Sequence, residues 1–166
     1  MISKKILSVI TSVMVFCCVV GVSLTNVKAD DSAPKSVDGS YLTSADSSTG
    51  YTPKNNERGK HLMDGQCSIS KTGTKRIYAY GSTTANHTVD AVAVIVYVDQ
   101  YNEKDDEWYQ IDAFSKKVEN DYYSATSKSI QVERGYYYRV HADHFVRMGE
   151  QPAEETFSYT DGILVP

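Results

Sequence analysis

The side chains best suited to metal or acid–base chemistry lie close together near the C-terminus, at His141, Asp143 and His144. Imidazole and carboxylate groups are common zinc ligands. On a β-strand, residues two apart share a face, so His141 and Asp143 point to one side and His144 to the other. Two ligands make a poor zinc site, so we expect no metal ion and no other cofactor. We expect His144 to be a hydrogen-bonded histidine near the core edge and His141 to be a surface residue.

The sequence gives little support for nucleophilic catalysis. Cys67 falls at the start of a predicted strand, whereas reactive thiols usually lie at a helix N-terminus or beside an imidazolium. We predict an inert, half-buried thiol. The chain contains neither Gly-x-Ser-x-Gly nor His-Glu-x-x-His, the motifs of serine hydrolases and zinc proteases. We therefore expect a non-catalytic protein, with a glycosidase-type carboxylate pair left open as the alternative.

Tyrosine is the unusually abundant residue type, with 13 Tyr and 1 Trp against 4 Phe. Its ring combines an apolar body with a polar hydroxyl, which suits stacking on a sugar. Ordinary packing of half-buried strand tyrosines is the alternative. The candidate glycan-binding platform consists of three residues on one outward strand face and two on neighbouring strands, namely Tyr137, Arg139 and His141, with Tyr109 and Tyr123.

The elements that must position these residues are β-strands. Runs rich in Val, Ile, Tyr and Thr alternate with clusters of Gly, Asp, Asn and Ser, and helical periodicity is lacking. Asp64-Gly65 predicts a tight turn between strand ends. Seven short strands in about 105 residues are typical of a β-sandwich. The predicted strands are Cys67–Lys71, Arg76–Gly81, Val89–Tyr101, Glu107–Lys116, Tyr123–Val132, Tyr136–Val146 and Glu155–Val165.

The segment Val89–Tyr101 is predicted to be the central strand. Apolar residues occupy both of its faces, so neither face should be freely wet. A polar hairpin loop follows at residues 102–106, and Trp108 begins the return strand. The alternating valines that should face the core are Val92, Val94, Val96 and Val98.

The most specific local pattern is Val132–Ala142, in which Gly135 precedes Tyr138 and apolar residues follow Tyr138 at every second position. It resembles the corner of fibronectin type III and immunoglobulin-like domains, where a tyrosine hydroxyl satisfies backbone groups at the crossover between sheets. The resemblance implies an immunoglobulin-like antiparallel β-sandwich. It assigns the corner to Tyr138, or to Tyr136, which shares its inward parity.

The first 29 residues have the form of a secretory signal peptide. Lys4 and Lys5 precede an apolar run from Ile6 to Leu24, and small side chains at Val27 and Ala29 suit a cleavage site. The same run could span a bilayer as an uncleaved anchor. We expect cleavage and an extracellular protein that has no membrane contact afterwards.

The composition divides the remaining chain in two. Residues 30–60 are rich in Asp, Ser, Gly, Thr and Pro and are predicted to be a flexible arm, whereas residues 61–166 form the β domain.

The formal charge of the whole chain is −4. Loss of Lys4, Lys5 and Lys28 with the signal leaves 14 basic against 21 acidic residues. Such a protein has no electrostatic reason to bind nucleic acid, and we expect a monomer.

A wider resemblance extends from Tyr41 to Gly162. It is carried by short motifs in order, including Gly50-Tyr51-Thr52-Pro53, Leu62-Met63-Asp64-Gly65, Trp108 and Gly135-Tyr136-Tyr137-Tyr138-Arg139-Val140. The chain resembles a family of small secreted proteins of Gram-positive bacteria, domain of unknown function family 6147. The resemblance implies export by a bacterium and a β-sandwich, and it supplies no catalytic residues.

These patterns together predict a secreted, non-catalytic binding module at the cell envelope or in the medium, with cell-wall or host glycans as partners. A small envelope hydrolase and a secreted effector or toxin-like protein are the alternatives. A binding module predicts a shallow aromatic face. A hydrolase predicts a pocket holding two carboxylates or a Cys–His pair, and an effector predicts a large exposed apolar patch.

Overall fold

The structure is a computed structural model that describes residues 39–53 and 59–166. All regular structure in these residues is β-strand, which confirms the all-β class. The predicted signal peptide, residues 1–29, lies outside the described residues. The strands are β1 (Leu42–Thr43), β2 (Ser47–Tyr51), β3 (Leu62–Gly73), β4 (Arg76–Asn102), β5 (Glu107–Gln131), β6 (Tyr136–Arg147), β7 (Glu154–Tyr159) and β8 (Gly162–Val165).

The described strands form one hydrogen-bonded, mixed sheet. Its main path runs β1-β8-β6-β4-β3-β2, and two further strands extend it, because β5 pairs with β4 and β7 pairs with β6. The short pairing of β1 with β8 is parallel, whereas the other pairings are antiparallel.

The long β4–β5 ribbon bends in the middle. Its first half pairs with β3 up to Ala85, and its second half pairs with β6 from Ala91 onward. The register between β4 and β5 shifts between Thr84 and Val89. Asn120, on β5 near this shift, adopts a left-handed φ of 54°, which asparagine tolerates better than most residues. The bend lets one pair of strands belong to both halves of the sheet.

The bend curls the sheet so far that one strand contacts itself. Gly81 and Val96 both lie on β4, fifteen positions apart, and in a straight strand they would be separated by roughly 50 Å. Instead, a Cβ built on Gly81 would lie 2.5 Å from Cγ2 of Val96. A Cβ on Gly65 of β3 would lie 2.4 Å from the ring of His144 on β6. The sheet is therefore a half-barrel with its core inside the curl.

The core face follows the alternation that the sequence predicts. The four valines from Val92 to Val98 are fully buried, and so are Tyr138, Val140 and Ala142 of β6. The main cluster draws on both halves of the sheet and contains Cys67, Ile69, Ile77, Ala79, Val94, Val96, Val98, Ile130, Val132, Tyr138, Val140, Ala142, Ile163 and Val165. A smaller cluster near the bend contains Leu62, Ala85, Val89, Val92 and Val146.

The predicted turn at Asp64-Gly65 is wrong. Both residues lie inside β3, opposite Thr84 and Thr83 of β4. Gly65 is needed there because the His144 ring leaves no space for a side chain. The glycine marks a close approach of two strands rather than a change of direction.

Several predicted strand ends differ from the observed ones. Arg76–Gly81 and Val89–Tyr101 belong to one strand, β4, because the bulged bend keeps the ladder continuous. For the same reason, Glu107–Lys116 and Tyr123–Val132 fall in the single strand β5, which ends at Gln131. Glu155–Val165 is divided into β7 and β8.

Part of the predicted arm is built into the sheet. β1 pairs with β8, and β2 pairs with β3 along Ser47–Tyr51. These polar segments gain order from backbone hydrogen bonds to partners distant in sequence, which composition cannot reveal. Residues 30–38 and 54–58 of the predicted arm lie outside the described residues.

The two-sheet, immunoglobulin-like sandwich is not confirmed, because the halves are joined through the continuous ribbon. The corner geometry is nevertheless present at Tyr138. Its hydroxyl donates to the carbonyl of Glu133 at 3.0 Å and accepts from the Glu133 N–H at 3.1 Å. Burial raises the pKa of Tyr138 to about 12, so the hydroxyl stays protonated. Tyr136, the other corner candidate, is half exposed.

Substitution Tyr138→Phe should lower the free energy of unfolding by about 1–2 kcal/mol, because it leaves the Glu133 N–H and carbonyl without this partner. Urea denaturation measures the change. Tyr136→Phe is the matched control, with an expected change below about 0.5 kcal/mol. Equal stability of the two variants would contradict the corner role.

Candidate functional site

A groove of about 650 Å³ opens where β4 turns into β5. Aromatic, amide and charged side chains line it together, which is the mixture found in sites for polar organic ligands. The lining residues are Gln100, Tyr101, Asn102, Glu103, Lys104, Tyr109, Arg134, Gly135 and Tyr136.

The groove continues the core face of the sheet beyond the last buried layer. Tyr109 of β5, Gln100 of β4 and Tyr138 of β6 are paired in one row across three strands. Tyr138 is fully buried, whereas Tyr109 is 47% exposed. Tyr136 shares the parity of Tyr138 and is 40% exposed. The sheet therefore presents two tyrosine rings at its open end.

The acidic turn between β4 and β5 orients the phenols. The hydroxyl of Tyr109 donates to the carboxylates of Asp105 and Glu107, each at 3.2 Å. The hydroxyl of Tyr101 donates to Asp106. The hydrogen bond to Asp105 and its charge raise the pKa of Tyr109, so this phenol remains neutral around pH 7. Its ring presents an uncharged apolar surface beside a fixed set of acceptors.

The opposite wall is the tight connection between β5 and β6. Gly135 adopts a φ of 82°, a conformation that favours glycine, and its N–H donates to the carbonyl of Val165 at 2.7 Å. Arg134 donates through Nε to the main-chain oxygen of Pro166 at 2.6 Å. The groove wall is thus tied to the end of β8.

Two residues of the predicted platform lie on the opposite face, in a charged cluster. Asp99 is 3% exposed, and one of its oxygens accepts from Arg139 Nε at 2.9 Å and lies 3.0 Å from His141 Nδ1. Burial disfavours ionisation of Asp99, but the hydrogen bonds and charges of His141 and Arg139 outweigh it and lower its pKa. His141 is thus a packed partner of Asp99 rather than a simple surface residue.

The rings of this outer cluster stack on one another. The His141 ring lies between Tyr97, at a centroid distance of 4.6 Å, and Tyr159, at 5.4 Å. Arg139 covers the Trp108 ring at 4.3 Å. The faces of the stacked rings are already in contact with one another, so mainly the ring edges on this surface are accessible to a sugar. The cluster also holds the segment that precedes β1, since Arg139 donates to the carbonyl of Gly39 at 2.9 Å.

The five residues of the predicted platform therefore do not form one surface. Tyr109 lies in the groove, on the core-side face, whereas Tyr137, Arg139 and His141 lie on the outer face. Tyr123 lies on the other half of the sheet, opposite Thr84. Its hydroxyl lies 2.8 Å from that of Tyr80.

Sequence reasoning missed Gln100, Arg134 and Tyr136 as groove residues. The available signal was parity: Gln100 continues the valine face of β4, and Tyr136 continues the Tyr138 face of β6. The alternation along each strand shows that Gln100 and Tyr136 share the core face. It does not show that the core stops before reaching them.

A buried polar network lies inside the core, around His144. Its Nδ1 lies 2.9 Å from Thr83 Oγ1 and its Nε2 lies 2.8 Å from Ser158 Oγ. Both His144 and Ser158 are at most 1% exposed, so this Ser–His pair is closed to a substrate. Cys67 is also fully buried, and burial raises its pKa to about 12. These groups are structural.

Three further findings bear on function. Within residues 39–53 and 59–166, no group of three or more His, Cys, Asp or Glu side chains is arranged to hold a metal ion. The same part of the chain contains no helix with the length and apolarity needed to cross a bilayer. Comparisons of the chain with known protein families, curated proteins and solved structures found no match.

Stability should fall by about 2 kcal/mol between pH 7 and pH 5 because of His144. Burial lowers its pKa from 6.5 to about 4. Across this pH range the unfolded chain therefore binds a proton at His144 that the folded chain does not, and the imbalance favours unfolding as the pH falls. Urea denaturation at several pH values measures the effect.

The variant His144→Gln should be less stable at pH 7 but should lose most of this pH dependence. His87→Gln, which alters an exposed histidine, is the matched control and should retain the wild-type slope. An unchanged slope in His144→Gln would show that another group is responsible.

Proposed function

We propose that this protein is a secreted, non-catalytic binding module whose ligand is a glycan held in the groove between Tyr109 and Tyr136. The observation that carries the proposal is the half exposure of these two tyrosine rings in a concave site. Among the described residues neither ring is stacked on another aromatic ring. Their faces therefore remain available for the apolar face of a sugar.

The polar lining supports a sugar ligand in particular. Gln100 provides an amide that both donates and accepts hydrogen bonds, and the Lys104 ammonium adds a donor. A sugar ring presents hydroxyls around its rim, and each hydroxyl both donates and accepts. A purely apolar ligand would leave these polar groups without partners, at a cost in free energy.

Binding fits the groove better than hydrolysis does. Glu103 is the carboxylic residue among the groove-lining residues, and the nearby Asp105 and Glu107 carboxylates accept from the Tyr109 hydroxyl, whereas glycoside hydrolysis uses two carboxyl groups that flank the scissile bond and exchange protons with it. The Ser158–His144 pair is buried in the core. A secreted effector remains a lesser alternative, because tyrosines make up most of the exposed large hydrophobic residues.

The wider setting of the proposal comes from the sequence. The signal-like N-terminus supports export, and the acidic composition argues against nucleic acid as the partner. We include in the proposal a monomeric protein and partners among cell-wall or host glycans. The short motifs that resemble the domain of unknown function family 6147 fit this setting, and the Tyr138 corner supports an immunoglobulin-like arrangement of the strands around it.

The test is retention and calorimetry of the purified protein against peptidoglycan, wall polysaccharides and mucin glycans. At least one glycan should bind, and Tyr109→Ala and Tyr136→Ala should each weaken its binding about fivefold or more, as loss of a stacking face costs on the order of 1 kcal/mol. Tyr122→Ala is the matched control, since Tyr122 is 55% exposed and lies on β5 outside the groove. Absence of binding across the panel would contradict the proposal, as would binding that both groove variants retain.

A further inference from the structure

Two histidines meet at the bend of β4, away from the β4–β5 turn that forms the groove. His61 lies just before β3. His87 lies in β4, in the segment between Thr84 and Val89 where the register with β5 shifts. Nδ1 of His61 and Nε2 of His87 are 3.1 Å apart, and their ring planes stand at 82°. His87 is exposed and His61 is half-buried. Neither histidine takes part in the corner, the core or the groove.

The backbone holds this pair in place. The N–H of His61 donates to the Glu154 carboxylate at 2.8 Å, and the His61 carbonyl accepts from the N–H of Asn86 at 2.9 Å. The Asn86 side chain donates to the carbonyl of Lys60 at 2.8 Å. Burial opposes ionisation of Glu154, but backbone N–H groups of Leu62 and His61 overcome it and lower its pKa. Glu154 therefore stays charged, and its carboxylate continues to accept the hydrogen bond from the His61 backbone N–H.

We propose that His61 and His87 form a binding site for a divalent transition-metal ion, with Cu²⁺ bound more tightly than Zn²⁺. A metal–nitrogen bond of about 2.05 Å on each side of the 3.1 Å separation gives an N–metal–N angle of roughly 100°. This angle lies between the square-planar and tetrahedral values. Imidazole suits both metals, and Cu²⁺ binds nitrogen ligands more strongly.

Binding requires a change of tautomer and a rotation of the rings, because the nitrogen lone pairs must turn from the N···N line toward an ion that lies beside it. In the metal-free pair one ring nitrogen carries the hydrogen and the other accepts it. A metal ion replaces that shared hydrogen, and the donating ring takes up its other tautomer, with N–H on the far nitrogen, by exchange with solvent. Each imidazole stays neutral, so no net proton is released. Water completes the coordination, and the bound ion keeps exchangeable positions.

This site is independent of the proposed glycan groove. It departs from the sequence expectation of no metal ion, which considered only the His141–Asp143–His144 segment and rejected a two-ligand zinc site. The same shortage of ligands applies to the His61–His87 pair and is a reason to expect weaker binding of Zn²⁺ than of Cu²⁺. The structure separates those residues from the pair: His141 is bound to Asp99 and His144 is enclosed by Thr83 and Ser158. His61 and His87 are 26 positions apart, and only the pairing of β3 with the first half of β4 brings them together.

The test is titration of the purified, untagged protein with Cu²⁺, followed by electron paramagnetic resonance, and with Zn²⁺, followed by calorimetry. We expect one Cu²⁺ site whose spectrum shows imidazole nitrogen ligands. His61→Gln and His87→Gln should each weaken binding by at least tenfold. Thr88→Ala, a change at the exposed neighbour of His87, is the matched control and should leave binding unchanged. Mg²⁺, which prefers oxygen ligands, should not bind.

Circular dichroism of each variant verifies that the fold is retained, which is expected because the His87 side chain is exposed. If His61 is needed for folding, the His87→Gln variant alone decides the question. Copper binding that survives in folded His87→Gln with unchanged affinity overturns the proposal, as does the lack of any nitrogen-ligated site in the wild-type protein. Glycan binding should be the same with and without Cu²⁺.

Discussion

The structure depends on one close contact, between Gly81 and Val96 of the same strand. The two residues meet only because the β4–β5 ribbon bends near Thr84–Val89. The lack of a side chain at Gly81 lets the valine face approach, since a Cβ there would overlap Val96. This approach brings β3 over β6 and converts an extended sheet into a half-barrel with an enclosed core. Burial of apolar surface on both halves then stabilises the bend that created it.

The same curl determines which polar groups are accessible to a ligand and which are enclosed in the core. It closes over His144, whose ring is satisfied by Thr83 from the facing half and by Ser158 of the neighbouring strand β7. At the end of the sheet that carries the β4–β5 turn, Tyr138 is the last fully buried side chain of β6. Tyr109 and Tyr136, at the same end, remain open to solvent. The enclosed groups are structural, and the proposed ligand site begins where the packing stops.

The sequence patterns predicted those features of the fold that depend only on the local geometry of a strand. The alternation in β6 correctly placed Tyr138, Val140 and Ala142 inward, because a strand has a period of two wherever it lies. The glycines were ambiguous. Gly65 resembled a turn residue, yet its role depends on His144, which is distant in the sequence. The site was predictable only in part for the same reason: Tyr109 was identified as a candidate, but the row that joins it to Gln100 depends on strand register.

The most direct measurement of the central contact is a double-mutant cycle in urea denaturation with Gly81→Ala, Val96→Ala and the double variant. Gly81→Ala should lower the free energy of unfolding by about 1–3 kcal/mol through overpacking. Gly73→Ala, where the nearest atom lies 3.7 Å from the added Cβ, should have a much smaller effect. In the Val96→Ala background the loss at Gly81 should shrink by about 1 kcal/mol or more, because the added methyl fills the vacated space. Strictly additive losses at the two positions would contradict the self-contact of β4 and, with it, the curled sheet.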